Sequence, residues 1–424
     1  MKKNNNIFIK LATLIFKIIF LPLYLVGLLV LKNNAIWIFG TGNGTKYNDN
    51  SRALFEYVNK NKKNIRPIWL TKSDYIVQKL RKENFEVYKF YSIKGIYYSI
   101  VAKAIVLTTS FFDISSTTWL FSSKSKIIQL WHGTPLKRLT LDASMATYLF
   151  QLKNKIIQLW YGKTSEELPK VSSFNKRIIS WTVLQYIGRE SDLIISATDK
   201  NKKIYEELPI FGHKNIKTTG QPRNDALFNK TESKNKKKLL FYLPTWREYD
   251  KNFDFFSQYK FNLEKFDAFL ERNNANLIIK LHACDEKQSK KIAGLFTNAK
   301  NIILSQIEDI YEILPKTDIL LTDYSSVYFD FLLLNRPIVF TPFDLDQYKR
   351  LRGFYYDYNS VTPGLKAMDW DEVMSYTQNI LNGVDVYEQK RLMVNNWFNK
   401  YKDGKSSERV YQEIIKTISR DKRL

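Results

Sequence analysis

The chain has 424 residues, 44% of them apolar and 15% aromatic, which is too long for one ordinary core and predicts two domains. A formal net charge of +24 attracts polyanions, whether nucleic acid, anionic lipid or an anionic polymer. One cysteine, Cys284, excludes an intramolecular disulfide and any zinc site built on several thiolates, and fits a reducing cytosol.

Residues 7–31 read IFIKLATLIFKIIFLPLYLVGLLVL. The uninterrupted apolar run from Ile18 to Leu31 is shorter than the roughly 20 residues that span a bilayer, and extending it back to Leu11 takes in Lys17. Lys2 and Lys3 have the outline of a signal peptide, but no small-residue cleavage site follows. Three readings stand: a monotopic helix lying in the membrane plane, a spanning helix, or a helix packed on the protein. Lys3, Lys10 and Lys17 recur every seven residues, a stripe that suits lipid headgroups. A spanning helix would put either the basic N-terminus or the basic body outside, against the positive-inside tendency. Residues 1–33 are therefore expected to be a membrane-associating segment, peripheral or monotopic on the cytoplasmic face, where anionic lipid suits the charge.

Past residue 33, short β-branched runs alternate with amphipathic stretches. AIWIFG (35–40), RPIWLT (66–71), EVYKF (86–90), AIVLTTS (104–110), KIIQLW (126–131) and DLIISAT (192–198) read as strands. SRALFEYVNK and DYIVQKLRKE between them read as helices. The polar stretch NKTESKNKKK (229–238) reads as a linker. The alternation then restarts with LLFYLPTW (239–246), a helix near 261–273, NLIIKLH (276–282), a helix near 286–296, NIILSQ (301–306), DILLTDYSS (318–326) and RPIVFTP (336–342). This predicts an α/β protein of two doubly wound parallel units, 34–230 and 231–424, with a charged helical tail after about 366 that packs back across the first unit. Lys-rich runs at 60–63, 200–203 and 234–238 read as solvated loops. With no aromatic-interleaved module, zinc-finger spacing or RNA-recognition signature, no nucleic-acid partner is expected.

Polar residues gather where these strands end, the place where open α/β sheets bind ligands. The stretch LWHGTPLKRLT (130–140) spends one of three histidines, His132, on a glycine turn beside Lys137 and Arg138. It reads either as a capped strand end or as a site for phosphate. In NLIIKLHA, Lys280 and His282 are two apart and share one strand face, either an exposed terminus or a cationic pair aimed into a cleft. Ser325 and Ser326 sit where strand becomes helix, as a plain cap or as phosphate donors, and no Glu or Gln three residues on completes a capping box. Asp330, inside FDFLLL, is either partnered or lining the site. Arg223 and Arg247 follow Gly220–Pro222 and Pro-Thr-Trp; each is a surface arginine or a phosphate ligand. TGNGTKYNDNSR (41–52) places Gly42 and Gly44 as in a dinucleotide loop, but Tyr47 takes the third glycine position, and a Walker pattern is absent. No Ser-His-Asp order and no metal-ligand spacing is present, so neither metal nor cofactor is expected. Cations, hydroxyls and two histidines suit transfer of a phosphate-bearing group.

WHGTPLKRL, GQPRNDAL, YLPTWRE, KLH, DILLTDYSSVYFDFLLLNRPIVF and RGFYYDY, with FGTGNGTKYNDNSRALFEYV, resemble the CDP-glycerol glycerophosphotransferase family of teichoic-acid primases and polymerases, over about 36–360. The resemblance implies a GT-B fold of two facing Rossmann-like units, the first on the acceptor side and the second binding CDP-glycerol. It implies transfer of glycerol phosphate to a lipid-linked glycan or poly(glycerol phosphate) acceptor, release of CMP, an anionic membrane partner and room for a homo-oligomer. Carried over by position, the catalytic residues would be His132 and His282. The substrate-binding residues would be Gly133, Thr134, Pro135, Leu136, Arg223, Thr245, Trp246, Arg247, Lys280, Ser325, Ser326 and Asp330. One departure is Pro363-Gly364-Leu365, where the family pattern expects PGP; it bears on substrate choice. The lack of a long N-terminal extra domain leans toward a primase or a short capsule-type transferase. In the implied in-line attack His132 takes the acceptor proton, with the swapped assignment, His282 as base, as the alternative. A ribitol-phosphate transferase, a GT-B sugar transferase and a membrane scaffold are the rival readings.

Overall fold

The computed structural model describes residues 29–114, 124–138, 191–207, 215–229, 237–247, 249–250, 253–281 and 292–420. Two parallel sheets form. The first contains β1 (Asn33–Gly40), β2 (Arg66–Thr71), β3 (Val87–Lys89), β4 (Ala102–Leu107), β5 (Lys126–Gln129), β6 (Leu193–Ser196) and β7 (Ile216–Thr218), in the order β3-β2-β1-β4-β5-β6-β7. The second contains β8 (Lys238–Leu243), β9 (Ala275–Ile279), β10 (Ile302–Leu304), β11 (Ile319–Thr322), β12 (Ile338–Phe340) and β13 (Leu365–Lys366), in the order β10-β9-β8-β11-β12-β13. Each sheet reverses direction of growth beside its first strand, β1 lying between β2 and β4 and β8 between β9 and β11. Such switch points leave a crevice at the carboxyl ends of the strands.

Alternation along each strand feeds two cores. Trp37 and Phe39 enter the cluster on one face of the first sheet, and Ile36 and Ile38 enter the cluster on the other. Leu240 and Tyr242 likewise face one side of the second sheet, and Phe241 and Leu243 the other. Both faces are covered, which is why the strands read as continuous apolar runs. Helices α1 (Asp49–Asn61), α2 (Asp74–Lys82), α3 (Ile93–Val101) and α4 (Asp199–Glu207) accompany the first sheet. With the second come α5 (Leu263–Arg272), α6 (Val327–Phe331), α7 (Leu345–Leu351), α8 (Tyr358–Val361), α9 (Trp370–Leu381) and α10 (Glu388–Phe398).

The expected strands are present, β2 with the expected bounds, β1 two residues longer at its start and most of the others shorter, and β7 and β13 add to them. The run AIVLTTS ends as a strand at Leu107 because the Asp113 carboxylate takes the N–H groups of Thr108, Thr109 and Ser110 at 3.1, 2.5 and 3.2 Å, turning the chain out of the ladder. The linker expected at 229–238 and the helix expected near 286–296 fall largely outside the described residues. Among the described residues no helix is long and apolar enough to cross a membrane. Most of the expected membrane-associating segment, residues 1–28, is likewise outside them.

The tail returns to the first sheet. Val410, Tyr411, Ile414 and Ile418 of α11 (Ser406–Ser419) join the core around Trp37, with the Trp37 and Tyr411 rings 5.5 Å apart. The first core is therefore not built from 34–230 alone. The N–H groups of Ser406 and Ser407, which begin α11, donate to the Asp225 carboxylate at 2.7 Å each. Asp225 thus caps a helix far along the chain. Asp225→Ala is expected to destabilise the protein by about 1–2 kcal/mol. Urea unfolding checks this, and an unchanged midpoint would remove the cap from the explanation.

Candidate active site

The loop after β5 is fastened carbonyl by carbonyl. Trp131 takes a left-handed φ of 56°, costly for a bulky residue, and its indole packs with Ile194, Tyr205 and Ile216. Its carbonyl accepts from Asn50 Nδ2 at 2.8 Å. The His132 carbonyl accepts from Arg223 Nη1 at 2.7 Å, and the Gly133 carbonyl from the Tyr205 hydroxyl at 3.2 Å. The Thr134 hydroxyl accepts from Asn201 Nδ2 at 3.3 Å. This turn lifts the His132 ring out of the strand line and lays it on Trp131, with centroids 4.6 Å apart. Gly133 lets the halves approach closely: a Cβ there would lie 2.7 Å from Ser326 Oγ of the second half and would push that hydroxyl aside. The loop then crosses over. Buried Leu136 joins the core of the second sheet, its carbonyl accepts from Tyr355 N at 2.9 Å, and Lys137 bridges Phe354.

Opposite His132, Lys280 follows β9, and Ser325 and Ser326 lie between β11 and α6. Ser326 stands at the start of α6, but its side chain makes no capping hydrogen bond. The plain-cap reading therefore fails. Asp330 is both partnered and at the site. Its carboxylate accepts from Arg223 Nη2 at 2.7 Å, from Asn224 Nδ2 at 3.0 Å and from the Tyr311 hydroxyl at 2.6 Å. Arg223 Nη1 also donates to Asp49 at 2.8 Å, and its Nε is buried without a partner among the described residues. This network joins α1, the β7 side of the first sheet and α6 of the second.

Arg247 is differently placed. Its Nε and Nη2 donate to the two oxygens of Asp344, each at 2.7 Å, and its Nη1 to Asp323 at 2.8 Å. The guanidinium lies about 5 Å from the rings of Phe253, Phe255, Tyr324 and Tyr348. It lines neither of the two cavities described next. Its expected place as a phosphate ligand gives way to one that fastens the YLPTWRE loop.

Two cavities meet at His132, Ser325 and Ser326. The smaller, about 260 Å³, is lined also by Lys46, Asp49, Arg223, Lys280, Glu308, Asp309, Tyr311 and Asp330. The larger, about 660 Å³, is lined also by Gly133, Thr134, Pro135, Leu136, Lys137, Thr245, Trp246, Tyr249, Tyr348 and Arg352. Of the residues expected from sequence, all but Arg247 and His282 therefore come together; His282 lies outside the described residues. Partial desolvation in the cleft lowers the His132 imidazole below its ordinary value, although the residue keeps an exposed surface; Asp49 opposes this, and Arg223 and Lys137 add to it. The ring stays open to both cavities. Burial also lowers the Lys280 ammonium, with Lys46 adding and Glu308 and Asp309 opposing.

Sequence reasoning missed Asp49, Asn50, Glu308, Asp309 and Tyr311. The signal for the first two was the NDN at 48–50, inside a loop read only for its glycines. Asn50 is fully buried, a costly position for an amide unless it is bonded, and it holds the Trp131 carbonyl and meets the Arg223 N–H at 3.1 Å. Cross-half ion pairs finish the wall: Arg52 meets Asp309 at 3.3 Å and Glu312 at 2.6 Å.

The arrangement is a neutral-leaning imidazole between two polar cavities, with hydroxyls and a lysine facing it, which suits proton removal from an attacking hydroxyl beside a stabilised phosphate. Comparison with known proteins follows the same line. The family described as CDP-Glycerol:Poly(glycerophosphate) glycerophosphotransferase matches residues 23–416. A teichoic acid poly(glycerol phosphate) polymerase of Bacillus spizizenii is 28% identical over 440 residues, covering 97% of this chain and 99% of that protein. A teichoic acid glycerol-phosphate transferase of Staphylococcus aureus is 28% identical over 405 residues, covering 91% and 94%. The solved structure of the wall teichoic acid polymerase TagF has the same fold, with a TM-score of 0.67 at 23% identity over 98% of both chains. A match that runs through every strand and both cavities leaves one conclusion: the chain belongs to the CDP-glycerol:poly(glycerophosphate) glycerophosphotransferase family.

Proposed function

We propose that this enzyme transfers glycerol phosphate from CDP-glycerol to a hydroxyl of a lipid-linked glycan or poly(glycerol phosphate) acceptor and releases CMP. The observation that carries the reading is His132 at the junction of two cavities, facing Ser325, Ser326 and Lys280. Two facing parallel sheets with the site between them support a GT-B architecture. The smaller cavity suits the donor: Lys280, the serines and Arg223 face its diphosphate, while Asp330 and Asp309 offer acceptors to the nucleoside hydroxyls.

The acceptor oxygen attacks the glycerol-bearing phosphorus in line. The bond from that phosphorus to the bridging oxygen breaks, CMP departs with that oxygen, and His132 holds the acceptor proton. Lys280 and the serine hydroxyls offset the charge on departing CMP. No metal or redox step is needed to balance the transfer. Attachment to the cytoplasmic membrane face is supported by the apolar run 18–31 and the net charge of +24.

The histidine serves as base only when neutral, and its pKa lies below the usual 6.5. The acid limb of kcat/KM is therefore expected below pH 6.5, with a plateau above it. A midpoint above 6.5 would contradict the lowered imidazole, and a rate with no acid limb in the histidine range would contradict His132 as the base. The donor reading is tested by offering purified protein CDP-glycerol and CDP-ribitol with a lipid-linked disaccharide and a primed acceptor. CDP-glycerol is expected to give the higher kcat/KM. Preference for CDP-ribitol would make this a ribitol-phosphate transferase.

A further inference from the structure

Asn50 lines neither cavity; it is fully buried, directly behind the Asp49 that lines the smaller one. Asp49 itself takes a left-handed φ of 64°, and its carboxylate accepts the Asn50 N–H at 2.7 Å as α1 begins. A side-chain amide has an oxygen that accepts and a nitrogen with two hydrogens to donate. Here all of these are engaged with distant parts of the chain. Nδ2 donates to the Trp131 carbonyl at 2.8 Å and to Gln221 Oε1, and Oδ1 accepts the Arg223 N–H at 3.1 Å. Those partners lie 81, 171 and 173 residues on, in the loops after β5 and β7. A buried amide with donors and acceptor all matched is held in one orientation.

What it holds is strained. Trp131 stands at φ 56°, a region that costs a bulky residue. Packing of the indole with Ile194, Tyr205 and Ile216 fixes the side chain but not the direction of the peptide that follows. Asn50 bonds the carbonyl of that peptide, whose nitrogen belongs to His132. Once the carbonyl is released, the turn relaxes and carries the imidazole with it. We propose that Asn50 is a positioning residue for the transfer, holding the Trp131–His132 peptide in the strained turn that sets the imidazole between the two cavities. This rests on the reading of His132 as the base. The donor side does not depend on the amide in the same way, because the Arg223 guanidinium is held separately by Asp49 and Asp330. An amide that only braced the fold would lower stability. A positioning amide lowers the rate of the folded enzyme, and only while the imidazole is present.

The test compares the full-length wild type with Asn50→Ala, His132→Ala and the double variant, in single-turnover transfer from CDP-glycerol to a lipid-linked acceptor. Asn50→Ala is expected to lower the transfer rate about 10–100-fold while calorimetry shows CDP-glycerol bound within about threefold of wild type. In the His132→Ala background the same substitution should change the rate by less than about twofold, because the group it positions is gone. Thermal midpoints report folding separately. If the alanine variant does not fold, Asn50→Asp carries the same comparison: it keeps an acceptor for the Arg223 N–H, but its carboxylate has no hydrogen for the Trp131 carbonyl. A loss that multiplies in the His132→Ala background, or a fall in CDP-glycerol binding that parallels the rate, overturns the assignment and leaves Asn50 a structural residue. Transfer by His132→Ala alone within a few-fold of wild type defeats the base reading itself, whatever Asn50→Ala does.

Discussion

His132→Ala is expected to lower the transfer rate by about 10²–10⁴-fold while CDP-glycerol binds within a few-fold of wild type. The split follows from the geometry. The ring reaches both cavities, but Lys280, Arg223, Ser325 and Ser326 also line the smaller one, where the diphosphate is proposed to bind. Its backbone is held by Arg223 through the carbonyl, not through the ring, so truncation leaves the turn in place. Calorimetric binding and single-turnover transfer, measured on the same preparation, separate the two effects. Transfer surviving within a few-fold would remove His132 as the base. A parallel collapse of binding would make it a phosphate ligand instead.

Arg247→Leu is expected to destabilise the protein by about 3–5 kcal/mol, because it leaves two buried carboxylates without their cation, Asp323 keeping only backbone N–H donors such as that of Thr245. The Asp323 and Asp344 side chains are 1% and 4% exposed, and Arg247 is 1% exposed. Leucine fills part of the aromatic box but leaves Asp344 with only the Tyr249 and Tyr324 hydroxyls, at 2.6 and 2.9 Å. Although burial pushes the Asp344 carboxyl up, its bonds to Arg247 outweigh this and hold it below the ordinary value. A carboxyl depressed in the fold adds stability above its unfolded pKa and loses it as pH falls. The deficit of the variant should therefore be full at neutral pH and narrow as pH falls, beginning where the buried Asp344 carboxyl, freed from Arg247, takes up its proton. Urea unfolding at several pH values checks both the size and the narrowing. A deficit under about 1 kcal/mol at neutral pH would mean that this network contributes specificity rather than stability.

Much of the fold was legible because both sheets are parallel and buried on both faces, so their strands appear as apolar runs ending in polar residues. The strand ends were harder. Asp113 stops β4 by bonding three amides, a local competition that hydrophobic pattern does not register. Part of the candidate site was also legible. His132, Lys280, Ser325 and Ser326 stand out as polar groups after apolar strands, and they do meet.

What the sequence could not convey was pairing. Arg223 and Arg247 look alike on paper, an arginine after a proline-bearing turn. Yet the Asp330 that holds Arg223 is 107 residues away, and the Asp323 and Asp344 that hold Arg247 are 76 and 97 residues away. Only the fold decides that one faces a cavity and the other a closed box. Asp225 is a similar case, since the amides it caps lie 181 and 182 residues on.

The most direct test follows the nucleotide. Purified full-length protein is incubated with CDP-glycerol and a lipid-linked acceptor, and both products are identified by mass. The expected result is CMP in one-to-one proportion with acceptor that has gained one glycerol phosphate. Release of CDP with transfer of the bare polyol, or CMP released with no gain by the acceptor, would contradict a glycerophosphate transfer at the His132 junction.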